Sequence, residues 1–188
     1  MSFWPESRDA RLALGWIGAI TLFRLWFAPH LDLVGDEAHY WECGRELDWN
    51  HYGKGPGAAF VIWVFTTLLG DHVWALRLPA VLLSAGTGWM IFVLGRKLYS
   101  ERVGLVAVVA ASVMPLFAIG SILMTIDPLS VFFWVAAALS FWSGVQTEKK
   151  RWWALTGLWI GLGFQAKYTN AAEMISFALF LLFVPEKR

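Results

Sequence analysis

The chain has 188 residues, of which 58% are hydrophobic and 15% are charged. A soluble domain of this size has too little interior to hide so much apolar surface, so the composition favours a membrane protein. The formal net charge of +1 provides no general basic field, which argues against nucleic acid as a partner. The single cysteine, Cys43, excludes an internal disulfide.

The N-terminal segment predicts a retained transmembrane helix rather than a cleaved signal peptide. Charged residues lead into the apolar run 12–28, and no small-residue cleavage site follows. Because about 17–25 apolar residues can cross a bilayer, five further runs are candidate spans. These runs are 74–94, 103–124, 129–145, 152–166 and 171–184. The shorter run 58–70 predicts an interfacial or re-entrant helix.

Clusters of basic residues flank the predicted spans and set their orientation. They are Arg8 and Arg11, then Arg96, Lys97 and Arg102, then Lys149, Lys150 and Arg151, and finally Lys187 and Arg188. If all of them face the cytoplasm, the chain crosses an even number of times between clusters. This condition leaves 58–70 on the outer face. The sequence therefore predicts an all-α polytopic membrane protein with about six transmembrane helices and outer-face juxtamembrane helices.

The first outer loop, residues 29–57, is the only long polar stretch and contains Asp36 and Glu37. Asp127 lies at the outer end of the third predicted span, so these carboxylates are expected at one membrane depth. There they can act as a general base, a second acid or base, or a metal-binding group. The structural alternatives are a solvated helix N-terminus for Asp36 and Glu37, and a helix cap for Asp127 with Pro128 in the first turn.

Two lysines on the same predicted face are candidate phosphate ligands. Lys54 lies in the glycine-rich turn before 58–70, where a backbone can approach a phosphate closely. Lys167 interrupts an apolar region. The alternative for both is an ordinary lysine that contacts headgroups or snorkels to the interface.

Other polar residues support weaker hypotheses. His39 and Cys43 are four residues apart, as two ligands on one helical face would be, but no third ligand has suitable spacing. Arg24 and Glu173 lie inside predicted spans and are expected to face the bundle interior or a polar cavity.

Four strings occur in order between residues 32 and 170. They are GDEAHYWECGRELDWNHYGKGPGAAFVIW, RLPAVLLSAGTGWMIFVLGRKLY, LMTIDPLSVFFW and RWWALTGLWIGLGFQAKYT. Together they resemble the ArnT-like and protein O-mannosyltransferase-like GT-C glycosyltransferases. Members of this family are typically several hundred residues longer, so the resemblance concerns their N-terminal part. It implies that residues 1–188 belong to a single transmembrane domain built as a GT-C-type helical bundle.

The resemblance implies transfer of a sugar, hexosyl or pentosyl, from a polyprenyl-phosphate donor such as undecaprenyl phosphate. The acceptor is a lipid, a glycan or a protein on the outer side of the membrane. Asp36 would be the base, Glu37 the neighbouring acid of its motif and Asp127 a second functional carboxylate. Lys54 and Lys167 would contact the donor phosphate.

The resemblance does not determine whether a divalent cation, Mg²⁺ or Mn²⁺, binds near Asp36, Glu37 and Asp127. The expected location is the bacterial inner membrane, among membrane lipids, with the active loop facing the periplasm or the cell exterior. Two alternatives remain from the residues alone. One is a non-catalytic module that binds or transports a polyprenyl lipid, and the other is a half-length subunit that needs a partner.

Overall fold

The computed structural model describes residues 7–47 and 55–184, and these residues form helices connected by short turns. The α-helices are α1 Arg8–Phe27, α2 Gly35–Arg45, α3 Gly57–Leu69, α4 Val73–Leu98, α5 Glu101–Val113, α6 Pro115–Gly120, α7 Ile126–Thr147, α8 Lys150–Ala166 and α9 Ala172–Phe183. Short 3₁₀ segments, Ala28–His30 and Tyr168–Ala171, follow α1 and α8. The predicted all-α membrane fold is confirmed.

Three helical stretches are long and apolar enough to cross a bilayer: Arg8–His30, Val73–Leu98 and Ile126–Thr147. Two shorter apolar stretches, Gly57–Leu69 and Tyr168–Phe183, fall below spanning length. The first of these is the short helix predicted over 58–70. The total of six spans stays a prediction, since α8 has only 17 residues and α9 only 12.

The span predicted over 103–124 consists of two helices, because α5 ends at Val113 and α6 begins at Pro115. Proline lacks the N–H that a continuing helix needs, and its ring disfavours a helical conformation in the preceding residue. Met114 accordingly has extended backbone angles, with φ −64° and ψ 128°. The chain turns at this point, and α6 forms a separate short helix that packs against α5.

The long helix α4 is the centre of the bundle and packs against α1, α3, α5 and α7. One buried cluster joins α1, α4 and α5 and includes Ala13, Phe92 and Val108. The backbones of α4 and α5 approach each other closely, since a Cβ on Gly95 would lie 2.8 Å from the Cα of Gly104. Small residues allow this approach, as they do between helices of many membrane proteins.

A second buried cluster holds α2 and α3 against the start of α4. It includes Tyr40, Ile62, Leu76 and Met124, all nearly inaccessible. Met124 comes from the segment between α6 and α7, so this cluster also positions the first turn of α7. It therefore fixes the end of the bundle at which Asp36 and Asp127 lie.

The α4–α5 contact can be tested with Gly104→Ala. The new Cβ would lie 2.5 Å from the carbonyl oxygen of Phe92, so the helices must separate. We expect a loss of about 1–3 kcal/mol in stability, measured as a lower thermal unfolding midpoint in detergent. The control is Gly157→Ala in α8, where nothing lies within 4 Å of the added Cβ and helix propensity improves slightly. Equal midpoints for the two variants would contradict the close α4–α5 packing.

Candidate active site

A cavity of about 580 Å³ opens at the end of the bundle that carries α2 and the start of α7. Its lining includes Asp36, Asp127 and Lys167, three of the residues that the sequence predicts as functional. It also includes Arg24 and extends along α1 as far as Trp16. The volume lies in the range of small-molecule sites. Residues about 90 positions apart in the sequence therefore share one chamber.

Asp36 reaches the cavity because of where α2 begins. The chain is extended at Val34, with φ −88° and ψ 147°, and α2 starts at Gly35. Asp36 thus lies in the first turn, where its carboxylate complements the helix dipole, and its side chain is exposed. The helix N-terminus thus presents the carboxylate to the cavity, and a catalytic role of Asp36 stays a prediction.

Glu37 points elsewhere, because successive residues on an α-helix are rotated by about 100°. Its side chain is completely buried and pairs with the equally buried Arg77 of α4. The two side chains meet through two bonds: Arg77 Nε donates to Glu37 Oε1 at 3.0 Å and Arg77 Nη2 to Oε2 at 2.6 Å. This bidentate arrangement is the strongest form of arginine–carboxylate contact. It occupies both oxygens of Glu37.

The same ion pair also fixes three segments of backbone. Arg77 Nη1 donates to the carbonyl oxygens of Ala28 at 2.6 Å and Leu31 at 2.9 Å, and Nη2 donates to that of Asp32 at 2.9 Å. Glu37 Oε1 accepts a further bond from the backbone N–H of Met124 at 3.0 Å. The pair thus joins the end of α1, the start of α2, α4 and the entry to α7.

Asp127 occupies the first turn of α7, but it is not the cap. Thr125 caps the helix, and its hydroxyl accepts from the backbone N–H of Asp127 at 3.3 Å. The carboxylate of Asp127 is thereby free to accept from Lys167 Nζ at 2.9 Å. Both side chains of this ion pair are roughly half exposed, 54% for Asp127 and 41% for Lys167.

A buried hydrogen-bonded pair one turn away sets the distance between Asp127 and Lys167. Ser130 donates its hydroxyl proton to Asn170 Oδ1 at 2.6 Å, and Asn170 Nδ2 donates to the carbonyl oxygen of Ser130 at 3.0 Å. Ser130 follows Asp127 by three residues, and Asn170 follows Lys167 by three. The 3₁₀ turn after α8 is therefore pinned to the first turns of α7.

Lys54 lies outside the described residues. The glycines that follow it approach α8 very closely, since a Cβ on Gly57 would lie 2.9 Å from the carbonyl oxygen of Gln165. Only glycine leaves room for this contact. Gly55 and Gly57, which follow Lys54 in the sequence, therefore lie against Gln165, two residues before Lys167.

No group of three His, Cys, Asp or Glu side chains is placed to hold a metal ion within residues 7–47 and 55–184. The carboxylate of Glu37 is directed into its contact with Arg77 rather than toward Asp127. His39 Nε2 and Cys43 Sγ lie 3.8 Å apart on α2. A divalent cation at Asp36 and Asp127 stays a prediction.

Sequence reasoning missed Arg77 as part of the site. The available signal was its position inside the apolar run 74–94, since a charge in such a run requires a partner. The partner itself could not be inferred, because Glu37 is 40 residues away in the sequence.

Comparison with known proteins gives consistent matches. Residues 53–188 match the family described as dolichyl-phosphate-mannose-protein mannosyltransferase. The chain is 26% identical over 172 residues to the lipid A galacturonosyltransferase RgtD of Rhizobium johnstonii, covering 88% of this chain and 36% of the relative. It is 32% identical over 177 residues to the undecaprenyl phosphate-alpha-4-amino-4-deoxy-L-arabinose arabinosyl transferase of Edwardsiella ictaluri, covering 81% and 32%.

A transferase of the same name from Erwinia tasmaniensis is 27% identical over 150 residues, covering 70% of this chain and 27% of the relative. The chain thus spans about a third of the length of the curated relatives it matches. No solved structure matches it.

The buried ion pair can be tested with Arg77→Gln, which leaves the carboxylate of Glu37 buried without its cation. We expect a loss of about 3–5 kcal/mol, measured as a lower thermal midpoint in detergent. The control is Arg45→Gln, which removes an exposed ion pair with Asp71 whose side chains are 61% and 53% exposed. That change should cost about 1 kcal/mol or less. Similar losses for both variants would show that the buried pair does not hold this end of the bundle together.

Proposed function

We propose that the chain, which belongs to the dolichyl-phosphate-mannose-protein mannosyltransferase family, contributes the catalytic cavity of a membrane glycosyltransferase. The reaction moves a sugar from a polyprenyl-phosphate carrier to an acceptor on the outer face of the membrane. The observation that carries this proposal is the convergence of Asp36, Asp127 and Lys167 on one cavity. The three relatives named above are sugar transferases, two of which carry undecaprenyl phosphate in their names.

Asp36 is the proposed base. It removes the proton of an acceptor hydroxyl, whose oxygen then bonds to the anomeric carbon of the sugar. The bond between that carbon and the phosphate oxygen breaks, and the polyprenyl phosphate leaves with the electron pair. Asp36 suits this role because its carboxylate is exposed to the cavity and makes no ion pair among the described residues.

Lys167 is the proposed ligand of the departing phosphate. Its pair with Asp127 is half exposed, and such pairs contribute little to stability, so the ammonium can turn to a phosphate at small cost. A cation at this position stabilises the charge that develops on the leaving group. Lys54, which precedes Gly55 in the sequence, is proposed to assist. Asp127 then serves to hold Lys167 in place, and it remains available as a second carboxylate.

Glu37 is proposed to position the site rather than to touch substrate. Both of its oxygens are engaged by Arg77, and the side chain is fully buried. Its contribution to activity would come from placing Asp36 one residue earlier on α2. This differs from the catalytic role that the family resemblance implies for Glu37.

The orientation of the chain follows from its basic residues. Asp127 lies in the first turn of α7, and Lys149 to Arg151 follow the last turn of the same helix. Asp127 of the cavity lining and this basic cluster are therefore at opposite ends of α7. Positive residues favour the cytoplasmic side, which supports the proposal that the cavity faces the periplasm from a bacterial inner membrane. The six predicted spans agree with this orientation, because an even number of crossings separates successive basic clusters.

The acceptor class and the metal are left as alternatives within the proposal. A lipid, a glycan or a protein can each present a hydroxyl to Asp36, and the transferred sugar is a hexose or a pentose derivative. If Mg²⁺ or Mn²⁺ takes part, Asp36 and Asp127 are the cavity carboxylates that would hold it.

The proposal is tested with Asp36→Asn in membranes that contain the chain. Transfer of label from a radiolabelled polyprenyl-phosphate-sugar mixture should fall by about 100-fold to 10,000-fold, as expected for loss of a general base. Binding of the labelled lipid should persist, because the change leaves Lys167 intact. Asp71→Asn is the control, since Asp71 is an exposed carboxylate outside the cavity. Near-normal transfer by Asp36→Asn would contradict the assignment of the base.

A companion variant separates an enzyme from a lipid carrier. Lys167→Gln should weaken both donor binding and transfer, because it removes the cation that meets the phosphate. A carrier depends on such cations but not on Asp36 or Asp127. If Lys167→Gln abolishes binding while the wild-type chain binds lipid and transfers no label, the chain is a lipid-binding module or needs a partner.

A further inference from the structure

The middle of the cavity contains a charged residue that the proposed function does not use. Arg24 of α1 is only 5% exposed, and it lies among the residues that line the cavity. It precedes Ala28, the C-cap of α1, by four residues, or about 6 Å along the helix axis. Most of the remaining lining is apolar and includes Ile17, Ile91 and Val108.

The guanidinium of Arg24 has five N–H donors but few acceptors. Nη1 donates to Ser84 Oγ at 3.2 Å and Nη2 to the carbonyl oxygen of Ser112 at 3.4 Å. Both are long for N–H···O bonds, and both acceptors are neutral. Within the described part of the chain, no carboxylate lies within 4 Å of Arg24.

Arg77, in the same bundle, uses all five of its N–H groups as hydrogen-bond donors. It is fully buried and makes five hydrogen bonds of 2.6–3.0 Å, two of them to a carboxylate. Arg24 is buried to nearly the same degree, but among residues 7–47 and 55–184 it has two weak bonds and no counter-charge. A buried charge without a partner is costly inside a membrane, and such residues generally face a ligand or a polar cavity.

The cavity wall has the order that a phospholipid-like substrate requires. Asp36 and Asp127 are exposed. Arg24 is buried, four residues before the C-cap of α1, and the apolar lining residues Ile20 and Ile17 follow further back along the same helix. A sugar, a phosphate and a hydrocarbon chain follow each other in the same order along a polyprenyl-phosphate sugar. A guanidinium is also the side chain that best matches phosphate oxygens, through two parallel N–H···O bonds.

We propose that Arg24 binds a phosphate group of an amphipathic lipid held in the cavity, at a deeper level than Lys167. The inference rests on the proposed function, since it assumes a lipid substrate. The phosphate has two chemically equivalent sources: the polyprenyl-phosphate carrier, or a phosphorylated lipid that accepts the sugar. Ser84 and Ser112 orient the guanidinium and complete a polar ring at this level.

The test measures lipid binding to the purified chain in nanodiscs, so it requires no catalysis. The first pair of probes is undecaprenyl phosphate and undecaprenol, which differ only in the phosphate. The second pair is lipid A and its dephosphorylated form. Arg24→Gln removes the charge and keeps a polar side chain of similar shape. Arg45→Gln is the matched control, because it removes an exposed arginine outside the cavity.

We expect Arg24→Gln to weaken binding of one phosphorylated probe by about tenfold or more, as for loss of a charged hydrogen-bonding pair. Binding of the matching phosphate-free probe should not change, and Arg45→Gln should resemble the wild type. Loss confined to undecaprenyl phosphate identifies the carrier as the source. Loss confined to lipid A identifies the acceptor.

Equal affinity of Arg24→Gln and wild type for both phosphorylated probes would overturn the proposal and leave Arg24 as a link between α1, α4 and α5. A wild-type chain that does not prefer phosphorylated probes would overturn it as well. If Arg24→Gln does not insert stably into the membrane, the same binding measurement is made with Arg24→Lys. It keeps the charge but loses the planar fork, so binding should weaken several-fold, and unchanged binding would refute the proposal. Failure of Asp36→Asn to reduce transfer would reject the base without affecting these binding results.

Discussion

The ion pair between Glu37 and Arg77 lies where four segments of the chain meet, and both side chains are fully shielded from solvent. Ion pairs of this kind gain little net stability over a well-packed apolar pair, since both charges lose their hydration. They do impose direction, because each bond requires a partner in one place. Here the partners are backbone carbonyls after α1 and a backbone N–H before α7. The position of Asp36 relative to Asp127 depends on this contact together with the buried cluster around Met124.

The rest of the site follows from helix geometry around that contact. Asp36 and Glu37 are adjacent in the sequence, yet one faces the cavity and the other faces Arg77, because a helix rotates by about 100° per residue. The same rule places Ser130 under Asp127, so that one face of α7 carries a buried hydrogen bond and an ion pair in register. The side chains proposed as functional are thus supported by buried ones within a single helical turn.

Much of this arrangement could be predicted from the sequence, and particular residues show where prediction stopped. Apolar runs and basic clusters predicted the helices and grouped Asp36, Asp127 and Lys167 at one end, because hydropathy and charge are local properties. The helix break at Pro115 could have been predicted from the sequence, since proline interrupts helices by a local mechanism. The partner of Glu37 and the support of Lys167 by Asn170 were not readable. Both are contacts over 40 residues, and a single sequence does not encode which distant side chains meet.

The formal charges of the ionisable side chains in the described cavity lining sum to zero. Asp36 and Asp127 contribute two negative charges, and Arg24 and Lys167 contribute two positive charges. A lipid phosphate that enters brings at least one uncompensated negative charge into a chamber with largely apolar walls, where water screens poorly. Electroneutrality then favours the uptake of a cation or a proton together with the lipid. Occupancy of such a chamber therefore depends on the ionic composition outside the membrane as well as on the lipid inside it.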